Sequence, residues 1–96
     1  MMGAIHMRGS IKMKFSHRIK SENGLHGRAA ARIVDKCKEY NSDISIIYNG
    51  RVGETNSIIS LMSLEARQGN TLNIIIEGDD EVLVYDNFKN FLVETL

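Results

Sequence analysis

The sequence predicts a single α+β domain in which helices cover one face of an antiparallel β-sheet. Short segments of alternating polarity, which are typical of strands, are interspersed with segments whose apolar residues recur at helical spacing. The predicted order is β-α-β-β-α-β-α, which gives one layer of sheet and one layer of helices. The 96 residues are enough for one such domain and leave no room for a second.

Composition and charge exclude several classes of protein. Hydrophobic residues make up 43% and charged residues 25% of the chain, which is typical of a globular domain and argues against disorder. Twelve basic residues balance twelve acidic ones, so no overall positive field indicates nucleic-acid binding. One cysteine and three histidines argue against a disulfide and a structural zinc site, and we expect no metal or cofactor. No apolar run approaches the roughly 20 residues needed to span a bilayer.

Residues 1–12 differ from the rest of the chain. This segment is rich in Met and Gly and contains no acidic residue. Met-Arg-Gly-Ser at residues 7–10 is typical of an expression leader, and Met13 is a plausible native start, so we expect the domain to comprise residues 13–96. The segment lacks the apolar core of a signal peptide, and we therefore expect a cytoplasmic protein.

A strand, a turn and an amphipathic helix are predicted for the first part of the domain. Lys14 to Lys20 is a short segment that we interpret as a strand, and Asn23-Gly24 indicates a turn because both residue types tolerate positive φ. From Gly27 to Tyr40, apolar residues recur at helical spacing. Cys37 lies on that apolar stripe, so we expect it in the core rather than as a reactive thiol. We assign no role to His17, which lies in the strand.

A hairpin and a short helix are predicted next. Ile44 to Tyr48 alternates in polarity, as a strand does, and Arg51 to Glu54 is the return strand. Between them, Asn49-Gly50 favours a type I′ turn, in which both central residues have positive φ. Thr55 or Asn56 is expected to cap the helix that follows. The apolar residues of this helix are Ile58, Leu61, Met62 and Leu64.

The last two elements are a strand and a long helix. Gly69 ends the preceding segment, residues 71–76 alternate in polarity, and Gly78 breaks the strand. Asp79 and Asp80 lie where a helix N-terminus favours acidic side chains, so a helix is predicted from there to the C-terminus. Its apolar stripe consists of Val84, Tyr85, Phe88, Phe91 and Leu92.

The segment whose residue types point to a chemical function is residues 23–31, Asn-Gly-Leu-His-Gly-Arg-Ala-Ala-Ala. His26 lies at the start of a predicted helix, where it can act as the N-cap and leave the amides of Gly27 and Arg28 unpaired. A helix N-terminus readily binds phosphate, and Arg28 adds a cation that pairs with phosphate oxygens. A neutral imidazole is also nucleophilic. The pattern predicts a phosphohistidine site; the alternative is an exposed polar cap beside a solvated arginine.

This segment resembles the active-site motif of the HPr family, the histidine phosphocarriers of the bacterial phosphoenolpyruvate:sugar phosphotransferase system. Residues 24–30, Gly-Leu-His-Gly-Arg-Ala-Ala, are similar to Gly-[Leu/Ile]-His-x-Arg-Pro-[Ala/Ser]. Residues 48–50 match the family's hairpin, and residues 57–64 resemble the segment around the regulatory serine of its Gram-positive branch. The resemblance covers nearly all of residues 14–96. It implies an open-faced β-sandwich with a four-stranded antiparallel sheet in the order 1-4-2-3 and three helices on one face.

The resemblance implies a role for each residue of the motif. His26 would accept a phosphoryl group on Nδ1 from phosphorylated Enzyme I and pass it to the A-type domains of the sugar-specific enzymes II. Arg28 and the backbone amide of Gly27 would steady that group, and Asn23 and Gly24 would support the site. The protein would then be a phosphoryl carrier rather than an enzyme with its own turnover. We expect a monomer that exposes one small face to several partners.

The resemblance also implies a regulatory site. Ser57 aligns with the serine that HPr kinase/phosphorylase modifies, after which the protein serves as a corepressor for a catabolite-control transcription factor. Ile58 and Met62 would belong to an apolar docking patch beside His26. The alternatives are a helix cap for Ser57 and plain core packing for Ile58 and Met62.

One residue departs from the motif. Ala29 stands where the family has proline, which costs no hydrogen bond in the first helical turn and restricts φ, so we expect a more mobile site. A regulatory HPr-like paralogue acting through Ser57 is the second candidate function. It ranks lower because the regulatory paralogues replace the active histidine, whereas His26 is present. A small-ligand-binding α/β sandwich is the third.

Overall fold

Seven elements follow one another in the predicted order in the computed structural model, which describes residues 12–96. They are β1 (Met13–Arg18), α1 (Gly27–Cys37), β2 (Asp43–Tyr48), β3 (Arg51–Glu54), α2 (Ile58–Met62), β4 (Thr71–Glu77) and α3 (Glu81–Thr95). The leader predicted for residues 1–12 lies outside the described residues except for Lys12.

The differences from the predicted bounds lie at element ends. β1 ends at Arg18 rather than Lys20, because the Lys20 amide donates to the Leu96 carbonyl at 2.6 Å instead of to a neighbouring strand. α1 ends at Cys37 rather than Tyr40. The Tyr40 amide donates to the Cys37 carbonyl, three residues back, which is a turn hydrogen bond rather than an α-helical one.

The four strands form one antiparallel sheet in the order β1-β4-β2-β3, so the expected order is confirmed. β4 lies between β1 and β2, and its Ile74 pairs with Phe15 on one side and Ile46 on the other. Because alternate residues of a strand share a face, this register gathers apolar side chains on the face towards the helices. The opposite face carries polar residues, including Ser16, whose hydroxyl donates to Asn73 Oδ1 at 3.0 Å, but also Ile47 and Ile75.

The core lies between the sheet and the helices. Its residues with at most 1% exposure come from both layers: Ile19, Ala30, Ile33, Ile46, Leu61, Leu72, Ile74, Ile76, Val84, Phe88 and Leu92. The predicted stripe of α3 is confirmed, with Tyr85 and Phe91 at its margin. Cys37 is half-buried against this core, and burial raises the pKa of its thiol to about 11. The thiol is therefore protonated at neutral pH and lacks the reactivity of a thiolate.

The β2–β3 hairpin forms as predicted. Asn49 and Gly50 have φ of 54° and 77°, the positive values that a type I′ turn requires. β3 then passes close to the segment after α2, because a Cβ on Gly53 would lie 2.7 Å from Leu64 Cδ1. Leu64 is buried, although it lies beyond the end of α2 at Met62. Glycine in β3 therefore allows the short helix to pack onto the sheet edge.

The N-cap of α2 is Ser57, so the prediction of Thr55 or Asn56 is wrong. The Ser57 hydroxyl oxygen accepts a hydrogen bond from the Ser60 amide at 3.1 Å. The Thr55 hydroxyl instead makes a hydrogen bond across to β2, donating to the Ile44 carbonyl at 3.1 Å. Three consecutive polar residues offer a capping oxygen, and only the path of the chain after β3 selects among them.

Asp80 is the N-cap residue of α3, which agrees with the acidic start predicted for that helix. Its carboxylate does not cap the helix but accepts hydrogen bonds from the Ser42 hydroxyl and, at 2.9 Å, from the Asn41 amide. These two hydrogen bonds hold the pKa of Asp80 below its usual value. The carboxylate thereby ties α3 to the loop between α1 and β2.

Candidate functional site

The turn before α1 is held by a close approach of two backbone segments. Gly24 has φ of 62°, and a Cβ on it would lie 2.6 Å from the Ala66 carbonyl oxygen. The Leu25 amide donates to that same carbonyl at 3.0 Å, and the Leu25 side chain is buried. Of the predicted Asn23-Gly24 pair, only Gly24 adopts positive φ. This close approach fixes where α1 begins.

His26 is the N-cap residue of α1, as the sequence predicts. Its backbone is extended, with φ of −94° and ψ of 178°, and its carbonyl accepts the first helical hydrogen bond from the Ala30 amide at 2.8 Å. The imidazole is half-buried and does not cap the helix. It has no hydrogen-bond partner among residues 12–96, so both ring nitrogens are available for chemistry.

The first three amides of α1 are also available. No residue of the described chain accepts a hydrogen bond from the backbone N–H of Gly27, Arg28 or Ala29, because the helical ladder starts at Ala30. Such amides give a helix N-terminus a partial positive charge of roughly +0.5, which favours an anion. α1 also has no acidic residue in its first turn to neutralise that charge.

A polar cleft of about 400 Å³ opens beside the imidazole, and we call it the His26 cleft. Its lining residues come from the β1–α1 turn, the first turns of α1 and the end of α3: Ser21, Asn23, His26, Arg28, Ala29, Arg32 and Thr95. The structure therefore brings three predicted site residues together, namely His26, Arg28 and Asn23. Gly27 and Gly24 do not line the cleft and contribute backbone geometry.

Three lining residues were missed by the sequence reasoning: Ser21, Arg32 and Thr95. Arg32 had a readable signal, because it follows Arg28 by four residues and so shares its face of the helix. Thr95 had none. It reaches the cleft because the Leu96 carbonyl accepts hydrogen bonds from the amides of Lys20 and Ser21, which holds the end of α3 against the turn.

An exposed apolar patch lies on α2, close to the start of α1. It consists of Ile58, Ile59 and Met62, which are 40%, 81% and 44% exposed. This exposure makes core packing the weaker interpretation of Ile58 and Met62. Ile59 also belongs to the patch, although the sequence analysis did not include it. The Met62 Sδ lies 3.7 Å from the position of a Cβ on Gly27. The patch and the His26 cleft thus adjoin each other.

Ser57 lies at the base of this patch. Its hydroxyl is half-buried and caps α2, as described above, and its amide donates to the Glu54 carbonyl at 3.1 Å. The cap is the structural role that the sequence analysis left open for Ser57. A cap role does not conflict with modification, because a phosphate is also favoured at a helix N-terminus.

Within residues 12–96, no group of three or more His, Cys, Asp or Glu side chains is placed to hold a metal ion. No helix there is long and apolar enough to cross a membrane.

Comparison with known proteins identifies the family. A family model described as "PTS HPr component phosphorylation site" matches residues 13–94. The phosphocarrier protein HPr of Buchnera aphidicola is 34% identical over 77 residues, a match covering 80% of this chain and 91% of that protein. That of Borreliella burgdorferi is 44% identical over 63 residues, covering 66% and 73%. The solved structure of HPr-C-His from Thermoanaerobacter tengcongensis matches with a TM-score of 0.79 at 29% identity, covering 86% and 93%. The chain therefore belongs to the HPr family of phosphocarrier proteins.

Proposed function

We propose that this chain is a phosphoryl carrier that uses His26, accepting the group from Enzyme I and passing it to the A-type domains of enzymes II. The observation that carries the proposal is the free imidazole at the N-cap of α1, beside a cleft lined by arginine. A nucleophile and an anion-binding surface in one place are what phosphoryl transfer requires. Membership of the family supplies the partners, and we place the protein in the cytoplasm with them.

The transfer is a displacement at phosphorus. The lone pair on Nδ1 of neutral His26 attacks the phosphorus atom, and the N–P bond forms while the bond from phosphorus to Enzyme I breaks. The electron pair of the broken bond stays on the Enzyme I atom that leaves. The reverse displacement, with an enzyme II nucleophile attacking, returns the lone pair to Nδ1. No cofactor is needed, because the phosphoryl group carries its own activation.

The surrounding groups stabilise the phosphoryl oxygens. Arg28 lines the cleft and offers a planar pair of N–H donors that matches phosphate geometry. The backbone amide of Gly27 lacks an acceptor in the described structure and donates to the same group. Asn23, from the β1–α1 turn, also lines the cleft and provides a further polar side chain. The apolar patch of Ile58, Ile59 and Met62 docks partners beside the site, on a monomer.

The test uses Enzyme I and labelled phosphoenolpyruvate. Wild-type protein takes up label that is labile in acid and stable in alkali, as phosphohistidine is, and His26→Ala takes up none while its circular dichroism is unchanged. His17→Gln is the matched control, because His17 is buried in β1 and does not line the cleft. Unchanged labelling of His26→Ala would show that another residue accepts the group.

We propose regulatory phosphorylation of Ser57 as a second function of the same chain. The supporting observation is that Ser57 caps α2 directly beside the apolar patch, so a phosphate there adds charge next to the docking surface. The partners would be HPr kinase/phosphorylase and a catabolite-control transcription factor. The kinase and ATP should give acid-stable label on wild type and none on Ser57→Ala. Label on both proteins would exclude Ser57 as the modified residue.

A further inference from the structure

We infer that Arg32 is a second phosphate-binding residue, which holds the phosphoryl group on His26 together with Arg28. This inference rests on the proposed function and goes beyond it, since the HPr motif ends before Arg32. It identifies the cleft as a site with two guanidinium groups for one doubly charged ligand.

The placement of the two arginines is the first support. Arg28 and Arg32 are one helical turn apart on α1, so their side chains leave the same face of the helix. Both line the His26 cleft, in which the imidazole also lies. Its volume of about 400 Å³ leaves room for a phosphoryl group between the side chains.

The absence of any protein counter-ion is the second support. Neither Arg28 nor Arg32 forms an ion pair within residues 12–96, where the cations of the ion pairs are all lysines. The acidic residue three positions after Arg32 is Asp35, and it pairs with Lys38 at 3.5 Å. Two like charges at this spacing repel each other and disfavour the helix, so the arrangement is relieved by an anion bound between them.

The charge of the ligand is the third support. A phosphoryl group carries close to two negative charges at neutral pH and presents three acceptor oxygens. One guanidinium neutralises only one of those charges, while Arg28 and Arg32 together neutralise both. The unpaired amides at the start of α1, the helix that carries both arginines, add the partial positive charge of the helix N-terminus.

The experiment compares wild type with Arg32→Gln, Arg32→Lys and Arg51→Gln. Arg51 is the matched control, an exposed arginine at the start of β3 that does not line the cleft. Each protein is equilibrated with Enzyme I and a limiting amount of phosphoenolpyruvate, and the phosphorylated fraction is measured. Phosphorus NMR of the phosphorylated protein then gives the pKa of the phosphoryl group.

In Arg32→Gln, the equilibrium constant for phosphoryl transfer from Enzyme I should fall about twofold to fivefold, the range of an exposed ion pair. The pKa of the phosphoryl group should rise, because removing a cation favours the protonated form. Arg32→Lys should recover part of both effects, since it restores the charge without the planar fork. Arg51→Gln should match wild type.

Two results overturn the inference and are distinguishable. If wild type forms phosphohistidine and Arg32→Gln has the same equilibrium constant and phosphoryl pKa, Arg32 is only a solvated arginine and the proposed function stands. If wild type forms no phosphohistidine, the proposed function fails and the role of Arg32 fails with it. Thermal melting of each variant verifies its fold, and Arg32→Lys preserves the charge on α1 should Arg32→Gln be less stable.

Discussion

Negative charge at Ser57 should weaken phosphoryl transfer while stabilising the fold. Ser57→Asp places a carboxylate at the N-cap of α2, where the serine hydroxyl already accepts from the Ser60 amide. Aspartate caps a helix as well as serine does, so that hydrogen bond is retained. Ser57→Asn is the matched control, because asparagine caps equally well and has no charge. The difference between the two variants isolates the effect of the charge.

The magnitude follows from the position of the residue. A negative charge at a helix N-terminus stabilises by about 0.3–1 kcal/mol, and the small size of α2 favours the lower end of that range. In a domain of this size, that corresponds to a melting temperature higher by roughly 1–8 °C. The same carboxylate lies next to Ile58, Ile59 and Met62, which are exposed, and a partner covering them must desolvate it. A cost of about 1.4 kcal/mol or more lowers the transfer rate tenfold or more.

The assay pairs thermal melting with the rate of transfer from Enzyme I for wild type, Ser57→Asp and Ser57→Asn. The expected result is slow transfer and higher melting for Ser57→Asp, with Ser57→Asn close to wild type in both. Equal transfer rates for the two variants would refute the reasoning, because they would show that partners do not cover Ser57. A much lower melting temperature for Ser57→Asp would refute the cap geometry on which the prediction depends.

Three further predictions concern the stability of the fold. Gly24→Ala should lower the free energy of unfolding in urea by about 2 kcal/mol or more, because positive φ and the clash with Ala66 both oppose a Cβ. Gly50→Ala, which also has positive φ but lies in open space, should lower it by only about 1 kcal/mol. Equal losses for the two variants would contradict the close approach at Gly24. Burial lowers the pKa of His17, so below about pH 6.5 the unfolded chain binds a proton there more readily than the folded protein does. The free energy of unfolding should therefore fall as the pH drops from about 7 towards 5, and His17→Phe should reduce that pH dependence in urea titrations. The same pH dependence in His17→Phe would assign the effect to other groups. Ala29→Pro should raise the free energy of unfolding by up to about 1 kcal/mol, because the Ala29 amide has no acceptor and proline restricts the unfolded chain. A melting temperature several degrees lower would show that the proline ring does not fit at this position.

The element order was predictable because each pattern is local. Alternation along β2 and β4 and helical spacing along α1 and α3 report which face of each element is buried, and the structure confirms all four. The hairpin was also predictable, since Asn49 and Gly50 are the residue types that accept positive φ without strain.

Element ends and caps were less predictable, because they depend on competing hydrogen bonds. Thr55, Asn56 and Ser57 are all cap candidates in the sequence. In the structure the Ser57 oxygen accepts from the Ser60 amide, while the Thr55 hydroxyl donates to the Ile44 carbonyl. The end of β1 likewise depends on Leu96, which is remote in sequence. No periodicity within a segment carries that information.

The sequence by itself determined the part of the candidate site that lies at the start of α1. His26, Gly27 and Arg28 are consecutive, so the start of one helix places them together whatever the rest of the chain does. Only the tertiary structure decided which residues from other elements lie beside it. Thr95 joins the cleft because the end of α3 is held against the β1–α1 turn, and Met62 approaches Gly27 because α2 packs beside α1. Local sequence patterns determine which side chains and amides lie at the start of a helix. The residues that line the rest of the cleft depend on packing between segments far apart in the chain.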